Sequence, residues 1–463
     1  MKLLTKSNDR NATLGVLERS AYMMGSFGTV FVYTIVGAFL MYYYTDIVGL
    51  NGTIVGSILL FSRIFDGVSD LVMGLIVDRT HSKHGKTRAW VLWMCVPYAV
   101  SGVFLVAVPM NVPVVMQYVY VAITYNLVCT VTYTAMTVAY NALITNLTSN
   151  ANEHAILSVF TILGGTIGGM VVQSTLVRAT DALGGDARAW TIMTAVYATI
   201  GLIAHLLCFF GTKERSSQIT AQKGTAPKHS IKMELSALFK NQYWIISVIV
   251  CFMAILINGI LGAVGLYYVN SVFGDTSVYS TIANALSIGV VLGVFVSALL
   301  MNHIGKRNTM LIGAVLLTVS SAIMGLVGGN LTLVTVCMAI RGLVYGMISA
   351  GLYGMAADTI DYGEWKSGLK TDGIGLAGIT FGTKIATGLS SVIIGVLTDI
   401  SHYDSALAVQ PASAVQTVNF CMNYIPAICG AIMVIALFLY KLDKIYPDIQ
   451  RELGERHATV KSI

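Results

Sequence analysis

Long apolar runs follow one another along almost the whole chain, and short polar segments separate them. A helix that crosses the hydrocarbon core of a bilayer needs about 20 mostly apolar residues. The pattern therefore predicts an all-α integral membrane protein. Its twelve predicted spans lie at 20–44, 53–77, 89–110, 114–143, 154–177, 189–210, 243–268, 277–301, 308–328, 332–356, 373–398 and 416–440.

The twelve spans fall into two similar sets of six. A Tyr-Tyr pair at 43–44 ends the first span and recurs at 267–268, where the seventh span ends. A Gly-Lys pair at 85–86 recurs at 305–306, again about half a chain later. A parallel duplication of this kind places the substrate between two halves, near the middle of the membrane. The predicted organisation is a six-helix bundle at 1–210, a cytoplasmic linker at 211–240, a second six-helix bundle at 241–441 and a tail at 442–463.

The composition indicates that the chain is embedded in lipid, and the distribution of charge predicts its orientation in the membrane. The chain is 56% hydrophobic and 11% charged, whereas soluble domains carry about 25% charged residues. Of the 28 Lys and Arg residues, 23 fall in segments on one predicted side, and only Arg178 and Arg188 fall on the other. By the positive-inside rule both termini are cytoplasmic, and the net charge of +6 serves the membrane surface rather than nucleic acid. We expect a multi-pass protein of the cell membrane, the bacterial cytoplasmic membrane, with its first span retained because that span is too long for a signal peptide.

Three ionisable residues occupy one face of the second span. Arg63, Asp66 and Asp70 follow one another at steps of three and four residues. A charge inside a span costs roughly 2.5 to 3.5 kcal/mol, so each needs a function or a partner. Two carboxylates one turn apart can hold a small hard cation or a proton, and Lys384 of the eleventh span could neutralise them when no cation is bound. The alternative is an ion pair that only holds two helices in register.

Further charged residues gather at the predicted cytoplasmic ends of the spans. The loop at 74–88 resembles the loop between spans two and three of the major facilitator superfamily, and its charges could lock a gate. The segment at 358–373 could form a second set of switchable salt bridges, or it could be a solvated charged loop. Arg341, in the tenth span, could meet an anionic substrate group, or it could snorkel or pair within the bundle. The predicted gate residues are Asp78, Arg79, Arg88, Asp358, Asp361, Glu364, Lys370 and Asp372.

Five segments together resemble one family of the major facilitator superfamily. They are FLMYYYTDIVGL (39–50), RIFDGVSDLVMG (63–74), HGKTRAW (84–90), TYTAMT (132–137) and DTIDYGEWKSGLKTDG (358–373). They resemble the glycoside-pentoside-hexuronide:cation symporters, which include the melibiose permease. The resemblance implies the twelve-helix major facilitator fold and a secondary active transporter. Such a protein imports a sugar or glycoside by symport with H⁺ or Na⁺ and alternates between two open states.

The resemblance also assigns site residues. It implies that Asp66 and Asp70 bind the cation with help from Thr134, that Lys384 is their positive partner, and that Arg63 is a neighbour in the cavity. Ser69 stands where the melibiose permease has an Asn, which leaves both Na⁺ and H⁺ open.

The sugar site departs from that of the melibiose permease. Thr29 and Val30 replace a Lys-Asp pair, Thr137 replaces a sugar-binding Asp, and Ile162 lies near the position of an Arg. We therefore expect poor affinity for melibiose and a site of neutral polar and aromatic groups. The predicted substrate residues are Arg63, Thr29, Tyr33, Tyr133, Thr137, Tyr140 and Lys384.

Other functional classes find no support. GIGLAG at 373–378 fits a dinucleotide fingerprint, but no strand precedes it and its glycines continue along an apolar helix. The seven cysteines lack metal-ligand spacing and His205 is a predicted core residue, although a proton relay is the alternative. No catalytic motif is present, so the chain is not predicted to be an enzyme, and no cofactor beyond the coupling ion is expected.

A monomer with a small sugar substrate is the leading hypothesis; an exporter or lipid transporter of the same fold is the alternative.

Overall fold

The computed structural model describes residues 13–215, 231–327, 329–369, 371–403, 407 and 410–461. Throughout these residues the regular structure is helical, and no β-strand occurs in them. The all-α prediction is therefore confirmed. Twelve long helices, numbered first to twelfth in chain order, overlap with the twelve predicted spans. They are Val16–Ile47, Gly52–Arg79, Arg88–Val106, Val114–Leu147, Ala151–Ala182, Ala187–Gly211, Gln242–Phe273, Tyr279–Ile304, Lys306–Val327, Leu331–Ser367, Asp372–Ile400 and Ala412–Lys444.

Within the described part of the chain, eleven of these helices are long and apolar enough to cross a membrane. The second helix, Gly52–Arg79, is the one that does not meet that standard. It has 28 residues, which span about 42 Å at 1.5 Å per residue and exceed a hydrocarbon core of about 30 Å. Its low apolarity follows from Arg63, Asp66 and Asp70, which call for a function other than contact with lipid, whereas Phe61 and Phe65 of the same helix are exposed apolar side chains.

The tenth helix is longer than the sequence pattern indicated. Its predicted span ended at residue 356, but the helix continues to Ser367 and is closed by Gly368 in the left-handed conformation, with φ of 69°. The charged residues at 358–367 are therefore helical, and the solvated-loop alternative is wrong for them. Hydropathy could not reveal this extension, because those side chains are stabilised by contacts with other segments rather than by lipid.

Wide π-helical turns interrupt three membrane helices. They lie at Ile35–Phe39 and Tyr43–Ile47 in the first helix, at Leu127–Tyr133 in the fourth and at Phe420–Tyr424 in the twelfth. Each such turn shifts the side chains that follow it around the helix axis and often accompanies a functional site.

The chain divides into two compact units. Unit 1 comprises Met1–Gln222, Gly262–Asn284 and Ser391–Ala414. Unit 2 comprises Lys223–Leu261, Ala285–Ser390 and Val415–Ile463. Unit 1 thus includes the first six helices, the ends of the seventh and eleventh helices and the first residues of the eighth and twelfth helices. The division into bundles at 1–210 and 241–441 rests on the sequence repeat, and it stays a prediction.

The same arginine brace occurs once in each unit. In unit 1, Arg88 Nε donates to the Phe209 carbonyl at 2.8 Å, and its guanidinium lies 4.3 Å from the centre of the Phe209 ring. In unit 2, Arg307 Nε donates to the Leu437 carbonyl at 2.9 Å, and its guanidinium lies 6.0 Å from the Phe438 ring. Each brace joins the start of a third or ninth helix to the end of a sixth or twelfth helix.

An acidic side chain completes each brace. The Glu214 carboxylate accepts hydrogen bonds from the backbone N–H groups of residues 86–88 at 2.6 to 2.8 Å. The Asp443 carboxylate accepts one from the Arg307 N–H at 2.9 Å. A carboxylate at a helix N-terminus satisfies free N–H groups and opposes the positive end of the helix dipole. This recurrence gives the duplicated sequence pattern a structural counterpart.

Candidate functional site

The charged face of the second helix is buried in unit 1. Arg63 and Asp66 are 5% and 3% exposed, and Asp70 is half-buried. One guanidinium nitrogen of Arg63 lies 3.3 Å from an oxygen of Asp66, as the three-residue spacing predicts. The guanidinium also lies 5.5 Å from the centre of the Tyr125 ring. Arg63 thus neutralises Asp66 from the same helix, a local partner that the sequence reasoning did not assign to it.

Thr134 of the fourth helix joins the two aspartates. Its hydroxyl lies 3.0 Å from Asp66 Oδ1 and 3.1 Å from Asp70 Oδ1, and 3.2 Å from the Cys129 carbonyl. Thr134 is 2% exposed and comes directly after the π-helical turn at Leu127–Tyr133. The wide turn therefore rotates Thr134 into the position where it meets both carboxylates.

The cluster of Arg63, Asp66, Asp70 and Thr134, here called the aspartate cluster, has more acceptors than Thr134 can satisfy. The hydroxyl has one proton, and three oxygens lie within hydrogen-bonding distance of it. With one guanidinium and two ionised carboxylates the cluster has a formal charge of −1. A single monovalent cation, bound by these oxygens, would bring that charge to zero.

Ser69 braces the second helix against the fourth. Its hydroxyl donates to the carbonyl of Thr130, inside the π-helical turn. About two turns nearer the start of the second helix, Asn126 Nδ2 donates to the Ser62 hydroxyl at 2.8 Å. These bonds hold the two helices at a fixed spacing. Ser69 lies next to Asp70, but its proton is committed to the backbone, so only its oxygen remains for a cation.

Two of the predicted sugar-binding tyrosines lie together. The rings of Tyr33 and Tyr133 are stacked, with centres 4.4 Å apart and planes 13° from parallel. Both side chains are half-buried, and Tyr133 immediately precedes Thr134. An aromatic surface therefore adjoins the aspartate cluster along the fourth helix.

Tyr140 and Thr29 lie elsewhere than expected. Tyr140 is 3% exposed, stacks on Tyr22 at 4.7 Å and donates its hydroxyl to the Tyr22 carbonyl at 2.9 Å. Thr29 is 7% exposed, donates to the Gly25 carbonyl at 2.8 Å and lies 3.0 Å from Nε2 of His205. Both side chains belong to the packed interior of unit 1, so we do not retain them as sugar contacts.

The remaining predicted site residues are placed as follows. Thr137 is half-buried and donates to the carbonyl of Tyr133 at 2.7 Å, one helical turn earlier. His205 is 1% exposed, in accord with a core residue. Lys384 is half-buried in the eleventh helix and belongs to unit 2. Its pairing with the aspartates stays a prediction.

The predicted gate residues of the tenth helix bind within unit 2. Lys306 Nζ lies 2.7 Å from a carboxylate oxygen of Asp358. The hydroxyl of Tyr446 donates to Asp361 at 2.6 Å, and the indole N–H of Trp365 donates to Glu452 at 2.7 Å. Burial and the neighbouring acids raise the pKa of Tyr446, which keeps it a neutral donor. The first contact attaches the tenth helix to the ninth helix, and the other two attach it to the helix at Tyr446–Lys461.

The structure gives less information on the other gate residues. Arg79 is exposed at the end of the second helix, and Glu364 is half-buried. Lys370 lies outside the described residues, and the side chains of Asp78 and Asp372 are not described either. Arg88 forms the brace of unit 1 rather than a free gate charge. Their gating roles stay predictions.

Sequence reasoning missed two buried ion pairs in unit 1. Arg215 donates to both oxygens of Glu18 at 2.8 and 2.9 Å, and Arg19 donates to both oxygens of Glu153 at 2.6 and 3.0 Å. Glu18 and Glu153 are 2% and 3% exposed. All four residues flank apolar runs, where charges are usually assigned to solvent. The sequence did offer one signal for these pairs, because opposite charges stand next to each other at span ends, as in Glu18-Arg19 and Glu214-Arg215.

A second polar cluster in unit 1, here called the outer cluster, was also missed. Asp399 accepts from the backbone N–H of Thr53 at 2.9 Å and from its hydroxyl at 2.6 Å. The hydroxyl of Tyr403 donates to Asp46 at 2.8 Å. Burial and the Asp46 carboxylate raise the pKa of Tyr403, so this phenol stays protonated at neutral pH. The cluster attaches the end of the eleventh helix to the first two helices, at the end predicted to face outward.

Arg341 is fully buried in unit 2 and binds its own unit. Its guanidinium donates to the Met422 carbonyl at 3.0 Å and to the Asn423 side-chain oxygen at 2.8 Å. Both acceptors lie in the π-helical turn of the twelfth helix, which frees a backbone carbonyl for this purpose. The structure therefore shows Arg341 paired with the twelfth helix of its own unit, as one of the hypotheses for this residue predicted.

A many-helix fold with buried charges on one helix face is typical of membrane transporters. The fold is similar to that of a solved D-xylose–proton symporter, with a TM-score of 0.64 and 15% identity, over 92% of this chain and 96% of that one. At that identity the match shows the major facilitator fold alone.

The chain belongs to the MFS/sugar transport protein family, whose sequence model matches residues 21–444. It is similar to the isoprimeverose transporter of Lactiplantibacillus pentosus, with 30% identity over 95% of this chain and 92% of the relative. It is also similar to the inner membrane symporter YicJ of Escherichia coli strain K12, with 28% identity over 91% of this chain and 90% of the relative. The resemblance drawn from the five segments is thereby confirmed. The protein is a transporter, not an enzyme.

Proposed function

We propose that this protein imports a sugar or glycoside by symport with H⁺ or Na⁺, by alternating access. The observation that carries the proposal is Thr134, whose hydroxyl lies within 3.1 Å of both Asp66 and Asp70. Three oxygen atoms from two helices converge there inside an apolar protein. Hard cations and protons are the species that such a set of oxygens binds.

The charge of the aspartate cluster supports coupling. Two carboxylates face one guanidinium in the cluster, so a cation bound by its oxygens changes the charge balance of a site inside a membrane helix. A change of charge at a buried site changes the relative stability of the two open states, and this ties cation movement to substrate movement.

The names of two relatives support a sugar substrate and a symport mechanism. One relative is named an isoprimeverose transporter and another an inner membrane symporter. The stacked pair Tyr33 and Tyr133 supplies an aromatic face next to the cation site, as a sugar ring requires. Thr137 and Arg63 complete the proposed substrate contacts from the same unit.

The proposed setting is the bacterial cytoplasmic membrane, with both termini in the cytoplasm and a monomeric protein. The charge split of 23 to 2 between the two predicted sides supports this orientation.

The test is concentrative sugar uptake by membrane vesicles with imposed gradients of H⁺ or Na⁺. We expect an inward cation gradient to drive accumulation by the wild type. Asp70→Asn should abolish accumulation but retain exchange of labelled for unlabelled sugar, because exchange needs no net cation movement. Asp448→Asn is the matched control, since Asp448 is an exposed carboxylate of the last helix.

Two results would contradict the proposal. Undiminished accumulation by Asp70→Asn would mean that the carboxylates are structural. Accumulation driven only by an outward cation gradient would mean antiport, the behaviour of an exporter.

A further inference from the structure

A cavity of about 450 Å³ opens in unit 2, and no residue of the aspartate cluster lines it. It lies where the short helix Ile231–Phe239, the start of the seventh helix and the end of the tenth helix meet. A cavity of this size holds a small organic headgroup. Nothing in the proposed transport mechanism uses it.

The lining is positively charged. Lys240 and Lys366 both border the cavity, and none of its ten described lining residues is acidic. The Lys366 ammonium lies 5.6 Å from the centre of the Tyr362 ring, which helps to keep it at the cavity. Two ammonium groups around a partly open cavity favour an anion with several oxygens, such as a phosphate ester.

The short helix has three distinct sides. Met233, Ser236 and Ala237 face the cavity, at the spacing expected for one helix face. Leu238 is 2% exposed and packs against Gly375, which fixes the helix to unit 2. A third side bears Phe239, which is 66% exposed.

The exposed side contains more than one apolar residue. Leu235 lies one turn before Phe239 and is 40% exposed. A short helix with an exposed apolar side, directly followed by a lysine, has the character of a helix that lies in the membrane interface. The same helix therefore borders both a cationic cavity and, by its composition, the lipid.

We propose that this cavity binds the phosphate headgroup of an anionic phospholipid of the cytoplasmic leaflet. Lys240 and Lys366 contact the phosphate, while Leu235 and Phe239 enter the acyl region beside it. A soluble phosphate ester shares the headgroup chemistry but has no apolar part to bury Phe239, so the exposed apolar side favours the lipid. The proposal does not depend on which substrate the protein transports.

The experiment measures lipid binding by native mass spectrometry of the full-length protein, purified in a neutral detergent. The probes are phosphatidylglycerol and phosphatidylcholine, each with and without millimolar glycerol 1-phosphate. The test variant is the double change Lys240→Gln with Lys366→Gln. Its matched control is Lys441→Gln with Lys444→Gln, which removes the same charge from exposed lysines of unit 2 outside the cavity.

We expect wild type and control to bind phosphatidylglycerol more tightly than phosphatidylcholine. The test variant should lose about thirtyfold in phosphatidylglycerol affinity, since each lysine near an anionic lipid contributes about 1 kcal/mol. Phe239→Ser should weaken binding of the lipid without changing its preference for an anionic headgroup. Equal loss in test and control variants would overturn the proposal, as would equal binding of the two lipids. Complete displacement of the lipid by glycerol 1-phosphate would show a site for a soluble phosphate ester and would also overturn it.

Discussion

The hydroxyl of Thr134 lies 3.0 Å from the Asp66 carboxylate. Thr134 belongs to the fourth helix and comes directly after its π-helical turn. The same hydroxyl reaches Asp70 at 3.1 Å. Two acids of one helix and one hydroxyl of another are thus joined through a single oxygen. Because that oxygen can also bind a cation, Thr134 is the residue at which cation binding can be tested without removing a charge.

We expect Thr134→Val to lower the apparent affinity for the coupling cation by about tenfold to a hundredfold. A hydrogen bond to a charged group contributes about 1.5 to 3 kcal/mol, and valine has nearly the shape of threonine without the hydroxyl. The measurement is the cation concentration that gives half-maximal sugar uptake. Thr134→Ser keeps the hydroxyl and should stay close to the wild type. Equal behaviour of the two variants would mean that the hydroxyl takes no part in cation binding.

The Arg63–Asp66 ion pair can be compared with an exposed pair of the same spacing. Arg451 and Asp448 also stand three residues apart with a separation of 3.3 Å, but both are more than two-thirds exposed. A double-mutant cycle of Arg63→Gln and Asp66→Asn should give a coupling energy of about 3 kcal/mol, because either single change leaves a buried charge. The exposed pair should give less than about 1 kcal/mol.

Thermal or denaturant unfolding of the purified variants measures both cycles. A coupling energy for the buried pair as small as that of the exposed pair would show that water reaches the aspartate cluster freely.

Gly56 is a position of close packing between the second helix and the eleventh helix. A Cβ atom there would lie 2.7 Å from the Ser391 carbonyl oxygen and 2.9 Å from Val392 Cα, so the backbone of the eleventh helix would have to move. We expect Gly56→Ala to cost about 1 to 3 kcal/mol of packing and to slow sugar exchange by about fivefold to a hundredfold. Gly74→Ala is the control on the same helix, because its Cβ meets no atom within 4 Å. Normal exchange by Gly56→Ala would show that this contact is not needed during transport.

Arg341 should determine stability rather than selectivity. Lysine keeps the charge but cannot bind both the Met422 carbonyl and the Asn423 side chain with one planar group, so Arg341→Lys should lower the free energy of unfolding by about 2 to 4 kcal/mol. Competition by neutral and uronate sugars should change in equal proportion. A selective loss of competition by uronates would instead place Arg341 at the substrate.

The orientation can be tested with reporter fusions. Fusions after residues 83 and 455 should report cytoplasm, and fusions near residues 49 and 182 should report the outside, because 23 Lys and Arg fall on one predicted side. A cytoplasmic signal at residue 49 would contradict the predicted helix order.

The local pattern of residues was sufficient to predict the helices, the charged helix face and the family of this protein. Each apolar run had to be a membrane helix, because no other structure satisfies the backbone of a single segment in lipid. The three- and four-residue spacing of Arg63, Asp66 and Asp70 placed them on one face, and the structure keeps them there. The five recognised segments gave the family, since they combine unusual charges with fixed neighbours.

The sequence did not show which side chains contact each other across the fold. Tyr33, Tyr133 and Tyr140 look alike in the sequence, yet the first two stack on each other while Tyr140 packs on Tyr22. Charges that flank apolar runs, such as Glu18 and Arg215, read as solvent-exposed, yet the fold buries them as a pair.

Residues close together in the chain were therefore enough to predict which segments are helices, which helix face is charged and which family the chain belongs to. The family resemblance had already grouped Thr134 with the two aspartates. Contacts in three dimensions were needed to show that its one hydroxyl reaches both of them, that the tenth helix continues to Ser367 and that Arg341 binds the twelfth helix. Each of these depends on a π-helical turn or on a contact between residues far apart in sequence. No periodicity within a single segment encodes such contacts.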